Sequence, residues 1–582
     1  MPHLRLAVLE IGAGHAEPAN GRLRSLASSP LLRERTIMTV SRPKDCTRAR
    51  VSDKAVPERS MNRCVLLAAS MLTLPVNPCS SQVTTSQYNN SRTNATLHEK
   101  ILTPQNVNAQ QFGKLGSFNV DGAVYAQPLY VRSVPIPGKG MHDLLYVATE
   151  HDSVYAFDAT RPGDPPLWKV NFLDQARGVT TLSEDLVACP FIRPEVGITS
   201  TPVIDLKTGT LYVLARTMIA HHVGDNEYFQ RLHALAITTG VEKFGGPRLI
   251  TASVRGRGAG ASKGQIAFDA LRQNPRAALT LANNSVYLEW ASSCDVDPYH
   301  GWVMSYDAKT LAQKSVLNVN PDGSEAGIWL SDTGPAVDAE GNLYVPTGNG
   351  TFDAANGGRD YGDSVLKLDG PSLAIRDYFT PHDQERISKA DTDVGSSGPT
   401  LLPDQLGPHR HVLLQPTKDS TIYVIDRDDM GKYHPDSDGL IQIIKLSGAG
   451  LGAIAYWNGH AFFATSDDFL RDYAIKDGRL TLHATSSVKF IDPGATPSIS
   501  SDGNKNAIVW AIKTKTWNGP DTKAAVLYAF DATKLGQPIY TSDQNSPRDH
   551  AALAARFVIP VVVNGRVYFG TRSEVEVYGL LK

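Results

Sequence analysis

The sequence predicts an all-β fold: an eight-bladed β-propeller of four-stranded antiparallel blades, the last blade closed by an N-terminal strand. Three observations carry this. A phrase of short strands returns about eight times, at a spacing of roughly 40–60 residues, which is the signature of a propeller. The first strand of most copies carries an internal proline, as in YAQPLYV (125–131), STPVID (200–205), DTGPAVD (332–338), SGPTLL (397–402), ATPSIS (495–500) and VIPVVV (558–563). The third strand ends in a short Asp-containing turn, as in VYAFDAT (154–160), VMSYDAKT (303–310) and LYAFDAT (527–533).

Taken in order, blade one spans 123–172 and blade two 197–250. A glycine-rich connector (253–264) precedes blade three, 277–308. Blade four spans 333–370, blade five 397–428, blade six 452–478 and blade seven 495–532. The final copy (556–581) supplies three strands before the chain ends. Its missing strand is expected to be FGKLGSFNV (112–120), which joins first blade to last and removes an open edge. Proline cannot donate to a ladder, so it suits the innermost strand, where one side faces the channel. The Asp and Thr turns are capping chemistry and imply no activity.

The N-terminal part reads differently. Residues 1–60 show little periodicity and are expected not to belong to the mature protein. Met61-Asn62-Arg63, the apolar run Cys64 to Val76 and the polar Asn77–Ser81 have the order of a secretory signal, 61–81. Pro78 stands before Cys79 where a lipid-attachment motif needs a small residue, so no lipid anchor is expected. Residues 82–110 are polar and read as an extended lead-in to the propeller, 111–582. The chain is expected to be exported, periplasmic or extracellular, with no membrane span. Its 582 residues carry a formal net charge of −2, which gives nucleic acid no basic surface to bind. No cysteine belongs to a CxxC or CxxCH motif, which removes zinc ribbons and covalent c-type haem. Cys189 and Cys294 can pair in an oxidising compartment or stand as two buried small residues.

Several segments resemble the quinoprotein dehydrogenases, whose eight-bladed propellers bind pyrroloquinoline quinone (PQQ) with calcium or a lanthanide. LYVPTGNGTFD (343–353) resembles the blade that supplies a metal-binding asparagine, which implies Asn349. DTDVGSSGP (391–399) resembles the stretch with the catalytic aspartate, which implies Asp393 as base and ligand, with Asp391 nearby. KDSTIYVIDRD (418–428) resembles the strand whose basic residue meets the quinone, implying Lys418. CDVDPYHGWVMSYD (294–307) sits where the family has a metal-binding glutamate, and offers Asp295 and Asp297. A hard cation takes carboxylate and amide oxygens, so the residue types suit it.

The departures are equally specific. The family's adjacent-cysteine lid falls at ACPF (188–191), where Cys189 is followed by Pro190. The tryptophan that stacks under the quinone has no match in register, and Trp329 lies close by. The first expectation is therefore an exported PQQ-repeat propeller that binds or scaffolds, with a degenerate quinone site. Its partner would be a protein or a small molecule on a propeller face. The alternative is a PQQ- and metal-dependent dehydrogenase oxidising an alcohol or a sugar.

Overall fold

A computed structural model describes residues 82–582 except 222–224, 332 and 515–521. The expected signal, and everything before it, lies outside the described residues. Eight antiparallel sheets follow one another as meanders. Blade one is Leu129–Ile136, Gly140–Ala148, Ser153–Asp158 and Trp168–Asn171, paired in that order. The first strands of blades two to seven are Val203–Asp205, Thr280–Ala282, Ala336–Val337, Thr400–Leu401, Ala455–Trp457 and Ser498–Asp502. Blade eight takes Val561–Val563, Arg566–Gly570 and Glu574–Leu580 from the C-terminus and Phe112–Asn119 from the N-terminal side. The closure strand pairs from Phe112↔Leu580 to Asn119↔Glu574, as the sequence predicts.

Each blade alternates its side chains between two faces, and the core lies between blades. The closure strand shows this well. Phe112 packs on Trp510 and Tyr540 of blade seven, ring centroids 5.5 and 4.9 Å away. Phe118 stacks on Phe157 of blade one at 4.6 Å.

The lead-in departs from expectation. Its first part is not extended: Gln87, Tyr88, Arg92 and Asn94 all have left-handed backbone, with φ of 58°, 70°, 59° and 51°. These turns fold the segment into a plug that meets the first strand of every blade. Val83 exchanges two backbone hydrogen bonds with Tyr130, each 2.8 Å. The carbonyls of Thr84, Asn90, Ser91, Thr93 and Asn94 accept from the amides of Ile204, Val337, Leu401, Tyr456 and Ile499 at 2.7–2.9 Å. Asn90 Nδ2 donates to Leu281 O at 3.0 Å, and Val562 N donates to Tyr88 Oη at 2.7 Å. Channel-facing donors that the sequence reading left to the channel are thus taken by this segment, as buried backbone requires. Arg92 is fully buried at its centre and donates to Pro335 O, Thr85 Oγ1, Ser86 O and Thr280 Oγ1 at 2.5–3.1 Å.

Each contact falls on the second residue of its first strand. The plug thus fills the axis beside the first strands and leaves the connections that precede them to line a cavity. Among the described residues no helix is long and apolar enough to cross a membrane.

Candidate functional site

At the end of the axis away from the plug lies a cavity of about 400 Å³. Arg276, Ser331, Ser396, Asp492 and Arg556 line it, and each precedes the first strand of its blade. The loops joining second and third strands open on the same face, because an antiparallel meander returns there. Those loops carry Asp295 in blade three, Asn349 in blade four and Lys418 in blade five. Asp391 and Asp393 come from the connection between blades four and five, just after the short helix Gln384–Lys389.

The implied residues meet. Lys418 Nζ lies 2.6 Å from Asp391 Oδ1 and 3.7 Å from Asp393 Oδ1. Asn349 Nδ2 donates to Asp391 Oδ1 at 2.9 Å. The Asn349 Oδ1 atom is buried and has no hydrogen-bond partner. Asp393 is buried and accepts from Ser396 Oγ at 2.9 Å. Burial pushes its carboxyl above the usual range, Lys418 pulls it part of the way back, and Asp391 and Asp295 push it up again. Burial disfavours the Lys418 ammonium, yet Asp393 and Asp391 outweigh it and hold its pKa above the ordinary value. Asp295 sits at the mouth in a left-handed turn with Cys294, and its Oδ1 accepts from Tyr299 Oη at 2.7 Å.

The cysteines, Trp329 and Asp297 complete the placement of the sequence candidates. Cys189 and Cys294 form a disulfide, with Cα atoms 5.4 Å apart, and both line the cavity. The adjacent-cysteine pair is absent, but a cysteine 105 residues away supplies a sulfur partner at the same wall. Trp329 also lines the cavity, although it is out of register in sequence. Its indole fits because residue 348 is glycine: a Cβ there would lie 3.0 Å from the ring. Asp297 is exposed and is not among the lining residues. The turn at Cys294 and Asp295 presents Asp295 instead.

The sequence reading missed the arginines of the cavity. Arg276 and Arg556 both place their guanidinium carbons over the Phe557 ring, 5.0 and 4.9 Å from its centroid. Arg556 also lies 4.9 Å over Phe191. Both arginines are nearly buried, and Asp492 Oδ2 stands 3.7 Å from Arg556 Nη2. Their one signal was position: like Ser331 and Ser396, each lies just before a first strand. The cavity thus has carboxylates, an amide and a lysine from blades three to five, and a cationic, aromatic group of Arg276, Arg556, Phe557 and Phe191.

The disulfide ties the connection between blades one and two to blade three. Cys294→Ala is expected to destabilise the protein by about 2–4 kcal/mol, since the bridge closes a long loop. Thermal melts of native protein with and without reductant check it. A reduced protein melting with the oxidised one would remove this role.

No family model matches the chain, and no curated protein does. Among solved structures it is similar to a quinohemoprotein alcohol dehydrogenase from Pseudomonas putida HK5, at 14% identity and a TM-score of 0.54. That match covers 86% of this chain and 80% of the other. It is similar also to the quinohemoprotein alcohol dehydrogenase of Comamonas testosteroni, at 14% identity, TM-score 0.55 and the same coverages of 86% and 80%. At such identity the likeness concerns the fold, which these proteins share as an eight-bladed propeller.

Proposed function

We propose that the axial cavity binds an anionic quinone of the PQQ class together with a hard cation, and that the chain is a dehydrogenase acting on an alcohol or a sugar. The observation that carries this is the buried, partnerless oxygen of Asn349, whose amide also meets Asp391, with Lys418 joining Asp391 to Asp393. Amide and carboxylate oxygens are the donors that calcium or a lanthanide takes. Such a cation and quinone would supply Lewis acidity and a two-electron acceptor.

The chain's own residues do the rest. Asp393, with its raised pKa, is suited to accept the substrate hydroxyl proton as general base. Lys418 holds Asp391 and Asp393 in place and offers donors to an oxygen of the ligand. Arg276 and Arg556 give countercharge for ligand carboxylates. The Cys189–Cys294 bridge and the Trp329 ring form flat, apolar wall against which a planar ligand can rest. This apolar lining supports a small-molecule site over a scaffold whose quinone site is a relict.

Purified exported protein supplied with PQQ and calcium or a lanthanide should acquire stoichiometric quinone absorbance. Asp393→Ala should abolish it, and Asp391→Ala should weaken it less. Binding should also fade as pH falls through the raised Asp393 pKa, because a protonated carboxyl is a poor cation ligand. Native protein that takes up no quinone with any of these cations would sink the proposal.

A further inference from the structure

Blade six carries a second group of ligating side chains, far in sequence from the axial residues. His460 begins its second strand, His460–Ala464. Asp472 lies in the middle of the third, Asp468–Lys476, and His483 in the fourth, Arg479–Phe490. His460 Nδ1 is 2.8 Å from Asp472 Oδ1, and His483 Nδ1 is 2.8 Å from Asp472 Oδ2. The imidazole rings stand edge to face, centroids 5.2 Å apart. One donor atom from each of the three residues can be chosen so that all lie within 4.8 Å of one another.

His–Asp pairs recur on other blades, and they set the baseline. In blade one His142 meets Asp158 at 2.8 Å, and in blade five His409 meets Asp426 at 2.7 Å. In each, one imidazole on one carboxylate satisfies the pair. Blade six differs on two counts. Its carboxylate sits mid-strand with a side chain only 2% exposed, and two imidazoles converge on it. Each Asp472 oxygen thus faces an imidazole nitrogen, and the three side chains together offer a two-nitrogen, one-oxygen donor set.

We propose that His460, Asp472 and His483 bind a borderline divalent cation, with zinc as the fitting ion. Two imidazole nitrogens and one carboxylate oxygen are a recognised three-residue zinc set, with water in the fourth place. Tetrahedral zinc bonds of about 2.0–2.2 Å set the donor atoms roughly 3.3–3.5 Å apart, so the two nitrogens now 2.8 Å from the Asp472 oxygens would draw back slightly to admit the ion, within reach of small side-chain rotations. Binding displaces the proton from each ligating nitrogen. A single carboxylate among imidazoles suits zinc or copper and disfavours calcium. The two sites therefore sort metals by donor: hard ions to the axial oxygens, borderline ions to blade six. A metal here would tie the three outer strands of the blade together. The blade's fourth strand is largely exposed, and its pairing with the third shifts register twice.

The test uses the full exported chain, stripped with chelator and then given zinc or cobalt(II). Zinc should raise the melting temperature, and cobalt should give the visible absorption bands of a tetrahedral site. His483→Ala changes a side chain that is 55% exposed, so the variant should fold, and it should lose both signals. Asp472→Asn should lose them as well. His142→Ala on blade one should keep both. A native chain with neither a zinc-dependent shift nor cobalt bands overturns the proposal. So does a His483→Ala variant that keeps them.

Discussion

A chain that begins at residue 100 should lose its cooperative melt or melt far below the full-length protein, although every blade strand is still present. The segment removed supplies the hydrogen-bond partners of the first strands around the axis. Without it, at least five amides lose their acceptors and the axis opens to water, and each hydrogen bond lost costs about 0.5–1.5 kcal/mol net. The point variant Arg92→Ala isolates the centre of the plug. It removes a buried guanidinium that donates to Pro335 O, Thr85 Oγ1, Ser86 O and Thr280 Oγ1, and leaves a cavity behind. A loss of about 3–5 kcal/mol is expected from the missing charged hydrogen bonds and the void. Lys100→Ala, at an exposed position, is the matched control and should change little. Chemical denaturation of the three proteins measures this. An Arg92→Ala chain as stable as the control would show that the plug merely occupies space.

The second large effect is expected at ring closure. Deleting residues 111–121 strips the partner from Glu574–Leu580 and opens blade eight at its edge. An unpaired, largely buried strand is a template for another chain, so the protein should aggregate as well as destabilise. Phe112→Ala separates packing from pairing. Its ring is fully buried against Trp510, Tyr540 and Tyr578, so the change should cost about 3–5 kcal/mol with no new open edge. Light scattering during the melt distinguishes the two. If the deletion melts where the intact chain does, velcro-like closure is not what holds the ring.

The two truncations probe different physics. The plug acts through polar groups at the axis, whereas the closure strand acts through a ladder and two aromatic clusters. They also divide the N-terminal region in a way its composition does not suggest. Phe112–Asn119 has apolar residues only at 112, 115 and 118, and it read as a strand because the C-terminal blade visibly lacked one. Residues 82–99 show no apolar period at all, because what they bury is backbone and polar side chains.

The same distinction runs through the site. Asn349, Asp393 and Lys418 were legible because each sits in a short local phrase next to a recognisable strand. Topology then had to bring them together, since loops between second and third strands share a face with the connections between blades. Asp391 joined them through a left-handed turn, φ 52°, after the short helix. The sequence offered Cys189 and Cys294 as a pair or as two buried small residues, and it is the folding of the connection between blades one and two against blade three that brings them together across 105 residues. Trp329 was out of register in sequence and reaches the cavity because glycine at 348 leaves room for the indole.

By itself, then, the sequence determined the blade count, the order of strands and the closure, and its resemblance to quinoproteins implied residues of one wall of the cavity. Strand period, proline and turn residues are local signals, and each blade packs only on its neighbours. The tertiary structure decided the plug, the disulfide, the arginine wall and the triad of His460, Asp472 and His483. Those depend on groups from distant segments meeting at the axis or across adjacent strands, where burial of polar atoms leaves no pattern along the chain.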